Sequence, residues 1–266
     1  MNENYLKAIK AAVDAGNEIL KVYESDDFQV EKKGDDSPLT LADRNAHLKI
    51  MEYLSQTTIP VLSEEGNEIT FDERKDWKQL WIVDPLDGTK EFIKRNGDFT
   101  VNIALIEDSK PVFGVIYVPV HKELFIGMGD QGAYKINNIS SLNELESELT
   151  KIVEGAIKLP VKETNRPFTV MASRSHMSQE TQDYINKLKD QYPSLEFSSR
   201  GSSLKLCAVA EGTADVYPRF GPTMEWDTAA GQAIVEASGG TVKLVSGEPL
   251  LYNRKDLLNP YFIVSR

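Results

Sequence analysis

The run WIVDPLDGT, residues 81–89, places an apolar segment directly before two carboxylates, a proline and a glycine. Its first three residues are typical of the end of a buried strand, whereas Pro85 and Gly88 favour a turn from which a helix can begin. Ligands of open α/β sheets bind just beyond the carboxyl ends of strands, where we expect Asp84 and Asp87 to lie. The run therefore predicts a strand that stops at the first carboxylate and a candidate site beyond it.

The composition is that of an ordinary globular protein, because 41% of the 266 residues are hydrophobic and 27% are charged. Forty-one acidic against 30 basic residues give a net charge of −11, which disfavours binding of DNA or RNA through a basic surface. The single cysteine, Cys207, is expected to pack in the interior. We therefore expect no nucleic-acid partner and no disulfide framework.

Membrane insertion is not expected. No apolar run approaches the roughly 18 residues that span a bilayer, and the polar start of the chain lacks the basic and apolar regions of a signal peptide. These features predict a cytoplasmic protein without a transmembrane segment.

Hydrophobic spacing predicts two helices followed by strands in the first half of the chain. A helix is expected over residues 5–23, a second helical pattern follows Asp43, and a short strand is expected at 59–62. Alternating apolar residues between 101 and 136 predict a series of hairpins. This half is expected to be α+β.

Helices and strands alternate in the second half, which we therefore predict to be α/β. The polar stretch over 137–164 is interpreted as a connection. We place the boundary near residue 155. The prediction is thus one subdomain of residues 1–155 and a second of residues 156–266.

Four carboxylates lie at predicted strand or helix ends: Glu64, Asp84, Asp87 and Asp227. If the fold gathers them, their mutual repulsion raises their pKa values and opposes folding unless cations neutralise the cluster. A donor set of oxygens, without a His or Cys pair at ligand spacing, favours a hard ion such as Mg²⁺ over zinc. Two such ions about 3.5–4 Å apart would polarise a phosphoryl group and activate water.

Each motif also has a structural interpretation. Asp84 and Asp87 could belong to an ordinary turn, Asp227 could cap the helix that follows it, and Glu64 with Glu65 could be a solvated surface pair. A match to one short motif therefore leaves the structural and functional interpretations open.

Three segments taken together carry a resemblance: LSEE at 62–65, DPLDGT at 84–89 and WDTAAG at 226–231. They resemble the lithium-sensitive, magnesium-dependent phosphatases that include inositol monophosphatase and fructose-1,6-bisphosphatase. The segments DGTKEFI at 87–93 and GSSLK at 201–205 are similar to those of 3′(2′),5′-bisphosphate nucleotidases of the CysQ type within that family. The resemblance implies a mixed α and β fold, a layered αβαβα sandwich, with the site where the two halves meet. The subdomain of residues 1–155 would then hold most metal ligands, and the subdomain of residues 156–266 would hold nucleotide contacts and the last metal ligand.

The resemblance also implies roles for individual residues. Two or three Mg²⁺ ions would be held by Glu64, Asp84, Asp87, Asp227 and the backbone carbonyl of Leu86, with Asp84 between two ions. Asp43 and Thr89 would activate the attacking water. Substrate contacts are implied for Glu64, Gly88, Thr89, Ser202, Lys205, Arg219 and Asp227, and weaker candidates are Arg174 and His176.

The implied activity is hydrolysis of the 3′-phosphate of adenosine 3′,5′-bisphosphate (PAP) to AMP and phosphate, in sulfur assimilation or PAP recycling. The sulfated relative PAPS, which would yield APS, is a second expected substrate. The main alternative is an inositol monophosphatase with the same metal chemistry, and a non-catalytic scaffold of the same fold is a further one. Lithium inhibition, and attachment to the cytoplasmic face of the inner membrane, are features of relatives. The oligomeric state is left open.

Overall fold

The computed structural model describes residues 3–25, 30–32, 38–141, 149–161, 166–172 and 178–266. The helices are α1 (Glu3–Tyr23), α2 (Leu41–Leu54), α3 (Phe71–Arg74), α4 (Thr89–Ile93), α5 (Leu149–Glu154), α6 (Gln179–Gln191), α7 (Leu204–Glu211) and α8 (Glu225–Ala237), with a 3₁₀ turn at Gly129–Gln131. The strands are β1 (Glu31–Lys32), β2 (Pro38–Leu39), β3 (Val61–Ser63), β4 (Gln79–Asp87), β5 (Thr100–Glu107), β6 (Lys110–Val118), β7 (Glu123–Gly127), β8 (Ala133–Ile136), β9 (Ile157–Leu159), β10 (Phe168–Met171), β11 (Leu195–Ser198), β12 (Val216–Arg219), β13 (Thr241–Leu244) and β14 (Phe262–Ser265).

Helices and sheets alternate in five layers. The pair α1 and α2 covers one face of a seven-stranded sheet in the order β3-β4-β5-β6-β7-β8-β9. The pair α7 and α8 fills the space between this sheet and a five-stranded sheet in the order β11-β10-β12-β14-β13, and α6 packs on β12 of the second sheet. The expected αβαβα sandwich of mixed α and β type is thus confirmed.

The first sheet is mostly antiparallel, as the hairpin pattern predicts. Only β3 and β4 run parallel, with Ser63 opposite Val83. Because the carboxyl ends of parallel neighbours meet at one edge, this pairing brings the residues after both strands together. The stretch that we expected to be a connection supplies α5 and also β9, which pairs with β8 at the end of the sheet.

The expectation that β4 stops at the first carboxylate is wrong. The strand continues to Asp87, with Asp84 opposite Asn102 and Asp87 opposite Thr100. Three steps along β4 therefore match two steps along β5, so β4 contains one extra residue, a bulge at Pro85 and Leu86. The bulge accommodates a proline, which cannot donate to the ladder, and it changes the direction of the side chains around it.

The second sheet is mixed rather than purely parallel. Strand β10 runs parallel to both β11 and β12, whereas β14 is antiparallel to β12 and to β13. The sequence pattern did not predict β11, because Glu196 and Phe197 on this edge strand are both exposed and leave no alternation of burial.

Helix α8 lies unusually close to the first sheet. A Cβ atom on Gly127 would lie 2.5 Å from the Cα of Ile234, and one on Gly114 would lie 2.4 Å from the carbonyl oxygen of Ala230. Glycine on β6 and β7 therefore permits the approach of the helix that carries Asp227. Cys207 on the neighbouring α7 is buried, as expected.

Among the described residues, no helix combines the length and the apolar character that a membrane crossing requires. The division near residue 155 stays a prediction.

Candidate active site

Three carboxylates meet between β4 and the start of α8. Asp84, Asp87 and Asp227 each place a carboxylate oxygen within 4.8 Å of the other two. Asp84 is 1% exposed. Two of the three come from the bulged end of β4, and the third comes from a helix in the other half of the chain.

The electrostatics of this cluster are those of a cation site. Burial, with the nearby charges of Glu64, Asp87 and Asp227 adding to it, raises the pKa of Asp84 well above its ordinary value. Burial and the charge of Asp87 raise the pKa of Asp227 to about 8. Buried like charges of this kind are unfavourable by themselves, and an all-oxygen donor set suits a hard divalent cation. The residues present therefore fit a metal ion.

Two polar residues that the sequence reasoning missed orient Asp87. Its Oδ2 accepts hydrogen bonds from Ser203 Oγ at 2.8 Å and from Asn102 Nδ2 at 3.3 Å. Asn102 Nδ2 also lies 3.0 Å from Ser203 Oγ. The signal for Asn102 was present, since it is a buried amide between Val101 and Ile103 in an apolar strand.

Ser203 precedes α7, but its side chain does not cap that helix. Besides Asp87, the Ser203 hydroxyl lies 2.8 Å from the backbone oxygen of Asp227. This hydroxyl therefore connects the two acidic segments.

Asp227 lies in the first turn of α8, not at its N-cap. The N-cap is Met224, whose backbone N–H donates to Asp227 Oδ2 at 2.8 Å. The structural alternative placed Asp227 at the N-cap itself. The helix instead begins at Glu225, so Asp227 is its third residue and accepts a hydrogen bond from the N–H of the N-cap residue.

Glu64 follows β3 and lies at the same sheet edge as the cluster. Its backbone N–H donates to Val83 O at 3.1 Å, which extends the parallel pairing by one residue. A cavity of about 290 Å³ is lined by Glu64, Asp84, Leu86, Asp87, Gly88, Thr89, Lys90, Glu91 and Asp227. All five residues expected to ligate metal therefore line one cavity.

Asp43 and Thr89 are brought together from separate helices. Thr89 Oγ1 donates to Asp43 Oδ1 at 3.2 Å, and Asp43 is 1% exposed. The other carboxylate oxygen, Oδ2, accepts from the backbone N–H of Thr40 at 2.7 Å in a capping box at the start of α2. The sequence pattern Thr-x-x-Asp at residues 40–43 is typical of such a capping box.

Gly88 makes the turn between β4 and α4. Its φ of +96° lies in the left-handed region that glycine adopts without steric cost. Thr89 is the first residue of α4, so its N–H has no acceptor within the helix. This N–H is a suitable donor to an anion in the cavity.

A second, smaller cavity of about 160 Å³ adjoins the first. It is lined by Asp87, Gly88, Glu91, Ser202, Lys205, Leu206, Tyr217, Arg219, Thr223, Asp227, Thr228 and Phe262. The two cavities share Asp87, Gly88, Glu91 and Asp227. The residues expected to contact substrate therefore surround one continuous region.

Lys205 lines this smaller cavity and is only partly exposed. Its Nζ donates to the backbone oxygens of Ser202 at 2.8 Å and Arg200 at 3.1 Å and lies 5.6 Å from the centre of the Tyr217 ring. Burial lowers the pKa of Lys205, and the charge of Asp87 opposes this shift. Lys205 thus brings positive charge close to the acidic cluster.

Arg219 faces the same cavity from the end of β12. Its Nη2 donates to Pro222 O at 2.8 Å, while its buried Nε has no hydrogen-bond partner among the described residues. A buried donor without an acceptor is costly, so a ligand oxygen would be favourable there. The weaker candidates Arg174 and His176 lie outside the described residues.

The fold and this site define the class of the protein. The chain belongs to the inositol monophosphatase family, whose profile matches residues 1–265. The family resemblance is therefore confirmed.

Within this family, the chain is similar to proteins named as nucleotidases and to several solved structures. The 3′(2′),5′-bisphosphate nucleotidase CysQ of Salmonella typhimurium is 45% identical over 258 residues, which are 96% of each chain. The crystal structure of CysQ from Bacteroides thetaiotaomicron, a bacterial member of the inositol monophosphatase family, aligns with a TM-score of 0.92 at 52% identity, covering 98% of this chain and 96% of that one. An IMPase of Thermotoga maritima shares the fold. It aligns with a TM-score of 0.71 at 22% identity, covering 97% of this chain and 89% of that one.

Proposed function

We propose that this protein is a 3′(2′),5′-bisphosphate nucleotidase that hydrolyses the 3′-phosphate of PAP to AMP and phosphate. The observation that carries the proposal is the convergence of Asp84, Asp87 and Asp227 within 4.8 Å, beside a cavity that contains Lys205 and Arg219. Anionic and cationic groups side by side suit a substrate with two phosphates, one at the metal and one at the cations. Relatives of nearly the same length have this activity in their names.

The metal ligands in this proposal are Glu64, Asp84, Leu86 through its carbonyl oxygen, Asp87 and Asp227, with two or three Mg²⁺ ions bound. When bound, such ions neutralise the phosphoryl oxygens, lower the pKa of water and stabilise the departing oxygen. Ser203 and Asn102 orient Asp87 for this purpose through the contacts at its Oδ2. The N–H of Met224 orients Asp227 in the same way.

Thr89 and Asp43 prepare the attacking water. Because the Thr89 hydroxyl donates to Asp43, its lone pairs are directed toward the cavity, where they can accept a proton from water. The proton of Thr89 can then pass to Asp43 Oδ1. The backbone N–H of Thr40 holds Asp43 in place by donating to the other carboxylate oxygen, Asp43 Oδ2.

The phosphate to be cleaved is bound by the backbone N–H groups of Gly88 and Thr89. The remaining substrate contacts are assigned to Glu64, Ser202, Lys205, Arg219 and Asp227. Arg219 can direct two donors to the second phosphate, because a guanidinium group matches the spacing of phosphate oxygens.

A substrate panel tests the proposal. Phosphate release from PAP, PAPS and inositol 1-phosphate is measured with Mg²⁺ and with EDTA. We expect Mg²⁺-dependent release from PAP to exceed that from inositol 1-phosphate by at least about tenfold in kcat/KM. Preference for inositol 1-phosphate would support the inositol monophosphatase alternative, and no release from any substrate would overturn the proposal.

Hydrolysis of PAPS to APS is a second activity under this proposal. Lithium inhibition and contact with the inner membrane stay predictions that come from the resemblance. A cytoplasmic location stays a prediction that comes from the sequence features.

A further inference from the structure

Ser202 is held in a strained conformation beside the smaller cavity. Its φ of +41° lies in the left-handed region, which a residue with a side chain adopts at a steric cost. Its hydroxyl is buried and has no hydrogen-bond partner among the described residues, and Ser202 lines the smaller cavity. The backbone cost persists only if the surrounding groups fix this turn. The cost of the unpaired hydroxyl is offset if a ligand oxygen accepts a hydrogen bond from it.

Two side chains fix the turn from opposite sides. Asp98 Oδ2 accepts a hydrogen bond from the backbone N–H of Gly201 at 2.9 Å, and its Oδ1 lies 3.7 Å from Arg200 Nε. From the other side, Lys205 Nζ donates to the backbone oxygens of Arg200 and Ser202. Hydrogen bonds therefore hold the peptide group between Arg200 and Gly201 and the peptide group between Ser202 and Ser203.

Close packing connects this turn to Gly88. A Cβ on Gly201 would lie 2.6 Å from the backbone oxygen of Asp98 and 2.8 Å from Glu91 Cγ. A Cβ on Gly88 would lie 3.1 Å from the same Asp98 oxygen and 3.2 Å from Ser202 Cβ. The backbone at Asp98 thus contacts both the turn and the glycine that adjoins the acidic cluster.

We infer that Asp98 is a positioning residue that holds Ser202 in its left-handed conformation, so that the Ser202 hydroxyl donates to an anionic oxygen of the bound phosphate ester beside Gly88. This inference rests on the proposed function. Asp98 lines neither of the two cavities and acts on the substrate through Gly201 and Ser202. Lys205 assists by holding the carbonyl groups of the same turn.

The test compares D98A with its conservative control D98N. Asparagine retains an oxygen that can accept from Gly201 N–H, whereas alanine does not. We expect D98A to raise KM for PAP by about tenfold, which corresponds to about 1.4 kcal/mol, with kcat changed by less than about twofold. D98N is expected to remain within about threefold of wild type in KM.

A double-mutant cycle shows whether Asp98 acts through Ser202. S202A is expected to raise KM for PAP about as much as D98A, and the D98A/S202A pair should be no worse than either single variant. Fully additive effects, equal losses in D98A and D98N, or an unchanged KM in D98A would each overturn the inference. If D98A does not fold, the inference is overturned by an unchanged KM for PAP in S202A or by a tenfold higher KM in D98N.

Two readouts remain decisive if the wild type does not hydrolyse PAP, a result that would refute the proposed function alone. The first is hydrogen exchange at the Gly201 amide, which we expect to be slow in wild type and D98N and at least about tenfold faster in D98A. The second is calorimetric titration with inorganic phosphate in Mg²⁺, where D98A and S202A should lose about tenfold in affinity and D98N should not. Equal exchange or equal affinity in D98A and wild type would overturn the inference.

Discussion

The hydroxyl of Thr89 donates a hydrogen bond to the carboxylate of Asp43 across 3.2 Å, although 46 positions separate the two residues in the chain. Asp43 belongs to the outer helical layer, and Thr89 begins the helix after the bulged strand. The contact therefore joins the layer that faces one side of the first sheet to the acidic cluster at the edge of that sheet. Under the proposed function, this hydrogen bond leaves the Thr89 lone pairs available to accept from water.

Thr89→Val removes the hydroxyl and nearly preserves the shape of the side chain. Because a positioned proton acceptor contributes about 10²–10⁴ to a rate, we expect kcat for PAP to fall by at least about 100-fold. Steady-state kinetics with saturating Mg²⁺ measures this loss. Thr241→Val is the matched control, since Thr241 contacts Ser265 on the second sheet. Retention of kcat within tenfold in the Thr89 variant would contradict the assigned role.

Asp84→Asn is expected to abolish turnover while leaving the metal-free protein folded and at least as stable as wild type. The reason is that Asp84 is buried among Glu64, Asp87 and Asp227, and its charge is unfavourable without a cation. Thermal unfolding in EDTA and phosphate release in Mg²⁺ measure the two effects. Asp72→Asn, at an exposed position on α3, is the control for a change of net charge. Activity within about tenfold of wild type, a barrier change of only ~1.4 kcal/mol, would argue against Asp84 as a ligand.

The stability of the metal-free protein should depend on pH through Asp227. Burial and the charge of Asp87 raise its pKa from the ordinary value of 3.8 to about 8 in the folded state, so the folded state binds the proton more tightly. Stability from this group is therefore greatest below pH 4 and is lost as pH rises through about 8. Asp227→Asn cannot titrate. We expect the difference in Tm between this variant and wild type to grow between pH 5 and pH 8.5 in EDTA.

That measurement has an internal control, because a bound cation removes the penalty of the Asp227 charge. Saturating Mg²⁺ should therefore stabilise wild type most strongly at high pH and should stabilise the variant much less. A pH-independent difference between wild type and Asp227→Asn in EDTA would show that burial does not raise the pKa of this group.

Gly127→Ala tests the close approach of α8 to the first sheet. The new Cβ would lie 2.5 Å from Ile234 Cα, so either the helix or the strand must move. We expect a loss of about 1–3 kcal/mol or more in the free energy of unfolding, measured by urea titration. Gly155→Ala is the control, since nothing lies within 4 Å of its Cβ position. A loss below about 0.5 kcal/mol would show that the interface adapts.

Local sequence predicted the elements whose signals are local. The apolar spacing in α1 reflects the face that this helix buries, and glycines end α7 and follow α8. Prediction failed where the decisive neighbour is distant in sequence. Strand β4 passes Asp84 because β5 pairs with it, and β11 exists because β10 provides its ladder.

By itself, the sequence determined the chemical groups that are available: oxygen donors after apolar strands, a glycine turn and a threonine at the start of a helix. These depend on residues a few positions apart, whose spacing the chain fixes directly. The tertiary structure alone decided that Asp227 meets Asp87, that Ser203 connects them and that Asp98 holds the turn at Ser202. The physical reason is that distances between remote segments follow from strand order, register and the packing of α8 against glycine, and a short stretch of sequence encodes none of these.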